Sequence, residues 1–409
     1  MAGGAVAIVG GRVVPIVGDP IDGGTVLIQD GKISAVGAAV AVPDGVPVVD
    51  AAGSWVLPGF IDGHAHVGAH EEAEGWAGND TNEMTDPVMA HVRAIDAINP
   101  ADLGFRDAIT GGVLAVNVNP GSGNPIGGQT VALKSWGRCV DEMVLRQPSG
   151  LKSALGENPK RTWGEQRKTP ATRLGTAAVI RGAFVEAANY LARMEVERAK
   201  PEAERKHVNR DLKLEALARV LRREIPWRQH CHRADDIATA IRLADEFGYR
   251  LVIDHGTEAH LLADIIAAKG IPVIIGPLFT SRSKVELRNR SLASPGRLAQ
   301  AGVTISITTD HPVVPIHFLV HQASFAVREG LPARTALEAL TINPARIAGI
   351  DDRLGSIEAG KDGSVVIWSG DPLDVNERVQ RAFVEGVEIY SYNDGAAVFA
   401  DPNPMTAAG

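Results

Sequence analysis

The sequence predicts an α/β fold: a (β/α)8 TIM-type barrel with a small β-sandwich domain formed from both termini. Three observations lead there. From about residue 59 to 350, apolar strand-like runs alternate with Ala- and charge-rich helical stretches, as in parallel strands joined by crossover helices. Both ends of the chain are instead rich in short β-type runs. The 409 residues, 45% hydrophobic and 22% charged, exceed one ordinary domain and provide for a large barrel core plus an accessory unit. The expected division is residues 1–58 plus 351–409 as the composite sandwich and 59–350 as the barrel.

Taken in order, residues 5–58 read as short strands: AVAIVGGRVV, TVLIQDGKISAVG and VPVVDAAGSWVLPG. Asp30-Gly31, between apolar-rich runs, is a hairpin signal. Such a β-unit cannot bury both faces alone, and matching runs return at 363–370 and 381–394, the second with a turn expected at Glu385-Gly386. Pro58-Gly59 is the joint into the barrel. Barrel strands are expected at GFIDGHAH, 112–120, around 150–157, 225–232, 250–256, 271–277 and 303–310, with helices over 176–220, 234–247 and 258–269. The 44 glycines and 24 prolines suit so many connections. The heavily charged 186–223 reads as a solvated helix.

A net charge of −8 without a long basic run argues against nucleic acid or an anionic membrane as partner and favours a small molecule. Cys139 and Cys231 alone cannot form a disulfide framework, which points to a reducing compartment. The N-terminus lacks the basic start of a signal sequence, and no apolar run reaches spanning length, so a cytoplasmic protein is expected. A homo-oligomer remains open.

The chemistry concentrates at strand ends. His64 and His66 close the first barrel strand; two residues apart, they share one face and can reach one metal ion. Asp62 could orient one of their rings. His230 with His232, His255 and Asp310 stand at three further expected strand ends, more than chance placement of 12 histidines provides. A divalent ion held by imidazoles and a carboxylate activates water and polarises a carbonyl. Asp310 would then move the proton to a leaving nitrogen, with His255 or His232 helping to polarise the carbonyl. The alternative for Asp310 is a helix N-cap.

These pieces resemble the amidohydrolase superfamily, nearer its imidazolonepropionase- and prolidase-like branch than its adenosine deaminases. The matching stretches are LPGFIDGHAH (57–66), HCHRADDI (230–237), IDHGTEAH (253–260), TTDHPV (308–313) and LTINPARIAGIDDRLGSIEAGKDGSVVIWSGDP (340–372). The resemblance implies His64, His66, His230, His255 and Asp310 as metal ligands, with Asp310 also the general base. It further implies an acidic bridge from the fourth strand between two ions. Here GLKSALGENPKR (150–161) offers Glu157, slightly favoured because it is already anionic, or Lys152, which would need carbamylation; a one-metal site without either is the alternative. Zinc is the leading ion, and manganese, iron or nickel also suit these ligands. Cys231, between the two histidines, and Gly363-Ser364 depart from the superfamily pattern; the first reads as a small buried residue, and the second touches the terminal unit only.

His232, His260 and His311 are candidate substrate contacts, as are Arg282 and the glycine-rich GSGNPIGGQTVALK (121–134) with Gln129, whose amides could hold a carboxylate. The segment 70–87 lacks periodicity and is expected to form a mobile loop over the barrel mouth. The expected activity is metal-dependent hydrolysis of a C–N bond in a small cyclic amide or dipeptide-like substrate. Deamination of a ring amidine is the competing reaction, weakened by the absence of glutamate soon after His230. A non-catalytic scaffold would require the ligand set to be incomplete, and every expected position is filled.

Overall fold

A computed structural model describes residues 4–401; the outermost parts of the terminal unit, residues 1–3 and 402–409, lie outside them. The N-terminal strands are β1 (Val6–Val13), β2 (Ile21–Gln29), β3 (Lys32–Gly37), β4 (Val48–Asp50) and β5 (Trp55–Pro58). Next come β6 (Phe60–Ala65), β7 (Val113–Val118), β8 (Ile126–Lys134), β9 (Val144–Ala154), β10 (Trp227–Cys231), β11 (Leu251–His255), β12 (Val273–Ile275) and β13 (Ile305–Ile307). The C-terminal strands are β14 (Val365–Trp368), β15 (Val379–Val384), β16 (Val387–Asn393) and β17 (Ala396–Phe399).

Both chain ends share one nine-stranded sheet, in the order β17-β16-β15-β14-β5-β1-β2-β3 with β4 on β1. The expected β-sandwich of both termini appears in the pairing of the described residues as one sheet, without a second layer. Asp30 and Gly31 both have positive φ, +51° and +77°, and close β2 onto β3 as the hairpin signal predicted. The joint after Pro58 is sharp. Gly59 N–H bonds Ser364 O in the terminal sheet at 3.0 Å, and the next residue, Phe60, bonds Gly112 O in the barrel at 2.8 Å.

The eight strands β6–β13 form a second, nearly closed sheet in sequence order. Its regularity is broken at one strand. β8 is antiparallel to both β7 and β9, whereas the remaining neighbours pair parallel. The reason is chain length: only residues 119–125 separate β7 from β8, too few for a parallel crossover of a dozen or more residues. The 121–134 stretch is therefore the end of a short loop followed by a strand. The 176–220 helix is likewise two helices, Arg173–Ala199 and Leu212–Leu221, parted where Pro201 cannot continue the first.

Side chains close the barrel between β6 and the residues after β13. Asp62, fully buried, accepts from Thr308 Oγ1 at 2.6 Å, Thr309 N–H at 3.0 Å, Thr309 Oγ1 at 2.5 Å and His64 N–H at 3.1 Å. His66 N–H adds a bond to His311 O at 2.9 Å. Asp62 thus joins first strand to last, and the ring-orienting role expected of it goes to other residues.

Candidate metal centre

Strand alternation points Asp62, His64 and His66 into the lumen, as it does Arg228 and His230 on β10 and Lys152 on β9. Alternation would leave Asp254 and His255 on opposite faces of β11. His255 has φ of +73° and Asp310 of +53°, conformations uncommon for non-glycine residues, and these turn both side chains into the cluster. Two triads result, His64–His66–Asp310 and His230–His232–His255, each with its ligand atoms within 4.8 Å of one another. They adjoin through His64 and His255, whose ring centroids are 4.7 Å apart.

Asp310 Oδ1 lies 3.3 Å from His66 Nε2 and 3.5 Å from His64 Nε2. Lys152 Nζ approaches His64 Nε2 at 3.0 Å. Backbone carbonyls, which can only accept, take the Nδ1–H of His66 (Asn119 O, 2.7 Å) and of His255 (Gly276 O, 2.9 Å), leaving Nε2 of each with its lone pair. His232 Nδ1 pairs with Thr257 Oγ1 at 2.8 Å, and its Nε2 stands 3.7 Å from Glu286 Oε1. His230 Nδ1 is buried without a hydrogen-bond partner, and its Nε2 has only Asn158 Nδ2 at 3.4 Å.

Burial pushes His64, His230 and His232 well below the ordinary imidazole range and lowers His255 as well. They are neutral, the form that binds metal. Burial alone would raise the Asp310 carboxyl, but His255, His66 and His64 outweigh it and keep the group ionised. Burial also brings the Lys152 amine down to about 8. Neutral imidazoles, an ionised carboxylate and an unpartnered buried ring nitrogen fit a divalent cation.

Of the two fourth-strand candidates, Lys152 lies beside the histidines and Glu157 does not. Gly156, with φ of +88°, turns the chain out of the strand, and Glu157 opens the helix Glu157–Glu165 with its N–H on Glu286 Oε2 at 3.0 Å. Among the described residues no hydrogen bond or ion pair links its carboxylate to either triad. Lys152, inside β9 and buried, faces the histidines instead. His260 bonds Ser294 Oγ at 3.1 Å and Gln129 bonds Ala90 O at 3.4 Å, and neither enters a triad. His311 is buried behind Asp310, taking Ile316 N–H at 3.2 Å on Nδ1 with Nε2 3.4 Å from Glu72. Arg282 is exposed, with Nε on Arg288 O. The segment 70–87 has neither helix nor strand, and loop 119–125 bonds to it at Thr81 O, Asn82 Oδ1 and Glu83 O.

Sequence reasoning missed Arg228 and Asp254, both fully buried. Arg228 Nη2 donates to Asp254 Oδ1 at 2.9 Å and to Gly63 O at 2.8 Å. The signal was available: a charge inside an apolar strand, as in IPWRQHCH and RLVIDHG, requires a buried partner.

The family model for the amidohydrolase family matches residues 55–398. The chain belongs to the amidohydrolase family. Amidohydrolase tasK of Hapsidospora irregularis is 31% identical over 405 residues, covering 93% of this chain, which spans only 40% of that relative. Imidazolonepropionase of Polaromonas sp. is 24% identical over 381 residues, covering 84% of this chain and 82% of its own. The crystal structure of an amidohydrolase from Thermotoga maritima matches with a TM-score of 0.91 at 45% identity, covering 94% of this chain and all of that one. This amidohydrolase is a hydrolase acting on C–N bonds, in a family that generally uses divalent metals. Among its described residues no helix is long and apolar enough to cross a membrane.

Proposed function

We propose that this amidohydrolase hydrolyses the C–N bond of a small cyclic amide or dipeptide-like substrate, using one or two divalent ions, zinc first among them, where the two triads adjoin. The observation that carries this reading is the meeting of five histidines, Asp310 and Lys152 in one buried cluster at the ends of the barrel strands. Likeness to imidazolonepropionase supports a small-molecule substrate. In this reading the barrel, 59–350, carries the site, and 1–58 with 351–409 forms the accessory unit of a cytoplasmic enzyme.

His64, His66, His230, His255 and Asp310 would hold the metal. A bound divalent ion supplies Lewis acidity and a water of lowered pKa. Asp310, kept ionised, takes the proton of the attacking water and delivers it to the leaving nitrogen. His255 has given its only proton to Gly276 O and so acts as a ligand, not as a donor to the carbonyl. His232, paired with a hydroxyl able to give or take a proton, is the histidine free to contact the substrate carbonyl. Lys152 would supply the acidic group of the fourth strand: its free amine would add carbon dioxide to form a carbamate and release a proton, and burial brings that amine down to about 8.

Metal analysis of the purified protein, with wild type, His64→Asn and Asp310→Asn assayed on cyclic amides and dipeptides, tests the reading. Stoichiometric metal and amide hydrolysis lost in both variants are expected. Wild type that binds no metal under metal-replete conditions refutes it, and ammonia release from ring amidines with amides untouched assigns deamination instead.

A further inference from the structure

Arg228, Asp254 and His64 form a fully buried line that the proposed hydrolysis leaves without a task. Arg228 reaches from β10 to the backbone of β6: besides its Nη2 bonds, Nε donates to Asp254 Oδ1 at 3.2 Å. The Gly63 carbonyl it holds belongs to the residue just before His64. Asp254 Oδ2 points the other way and lies 3.0 Å from His64 Nδ1, short of hydrogen-bond alignment, and neither atom has another hydrogen-bond partner.

Stability is a weak reason for such a set, because desolvating an ion pair costs about as much as the pairing returns. The other histidines suggest a better one. His66 and His255 are fixed by backbone carbonyls at Nδ1, which need no counter-charge. His64 has a carboxylate there instead. Both Arg228 bonds to Asp254 fall on Oδ1, which leaves Oδ2, the atom facing His64 Nδ1, to accept. On the far side of the ring, Nε2 faces Lys152 Nζ at 3.0 Å and Asp310 Oδ1 at 3.5 Å.

We propose that Asp254, clamped by Arg228, is a positioning residue that holds His64 with its proton on Nδ1 and its Nε2 lone pair turned toward the metal-binding cluster. Its consequence rests on the metal-site reading above; its test does not. In metal-free protein carrying 15N-histidine, two-bond ring correlations show which nitrogen bears the proton, and His64→Asn assigns the signals. Wild type should show His64 protonated at Nδ1. The double variant Arg228→Met/Asp254→Leu, which leaves no charge buried alone, should show mixed tautomers and bind zinc roughly 10–100-fold more weakly in chelator competition. Arg228→Met/Asp254→Asn retains an accepting oxygen and should recover the Nδ1–H form in part. A folded Arg228→Met/Asp254→Leu variant with wild-type tautomer and wild-type zinc affinity overturns the proposal. Should wild type bind no zinc, the hydrolase reading falls, and the ring correlations still decide the role of Asp254.

Discussion

Replacing Asp62 with alanine isolates the side chain that joins the first barrel strand to the last. Four donors converge on its two oxygens, all of them buried. The two threonine hydroxyls can rotate elsewhere; Thr308 Oγ1 already lies 2.5 Å from His64 O. The N–H groups of His64 and Thr309 cannot. Two orphaned buried donors at roughly 1–3 kcal/mol each, together with a small cavity, give a destabilisation of about 3–5 kcal/mol for Asp62→Ala. Asp62→Asn keeps one accepting oxygen but turns an amide toward a donor, for a loss of about 2 kcal/mol. Urea unfolding of metal-free protein followed by far-UV circular dichroism measures the midpoint shift, read as stability only if the slope is unchanged. An unchanged midpoint with weakened zinc binding would refute barrel closure as the role of Asp62 and restore the ring-orienting one.

Three further outcomes follow from the geometry. Lys152→Met should lower metal content per chain and activity, whereas Glu157→Gln should leave metal content unchanged, both by elemental analysis. Gly276→Ala would place Cβ 2.3 Å from Thr308 O at a φ of +144°, a cost of about 2–4 kcal/mol; thermal unfolding should show it, along with weaker metal binding from the displaced His255 partner. An aromatic disulfide reagent should titrate one thiol in native protein, the exposed Cys139, and a second only in denaturant, since Cys231 is buried and burial raises its pKa well above the usual thiol value.

The sequence by itself determined the barrel's candidate ligands, because period-two alternation and strand-end placement are local properties that His64, His66 and His230 display within a few residues. It also determined the joint at Pro58-Gly59 and both hairpins, whose turn residues are adjacent in the chain. Only the tertiary structure placed Lys152 in the lumen and Glu157 outside it, five residues and one turn at Gly156 apart. The reversed direction of β8 depended on how much chain a crossover needs once neighbouring strands are in place. Asp62, Arg228 and Asp254 were legible as buried charges, but their partners, Thr308, Thr309, Gly63 and His64, come from strands far away in sequence. A lone residue in a sequence shows that it needs a partner; the closed barrel decides which partner it meets.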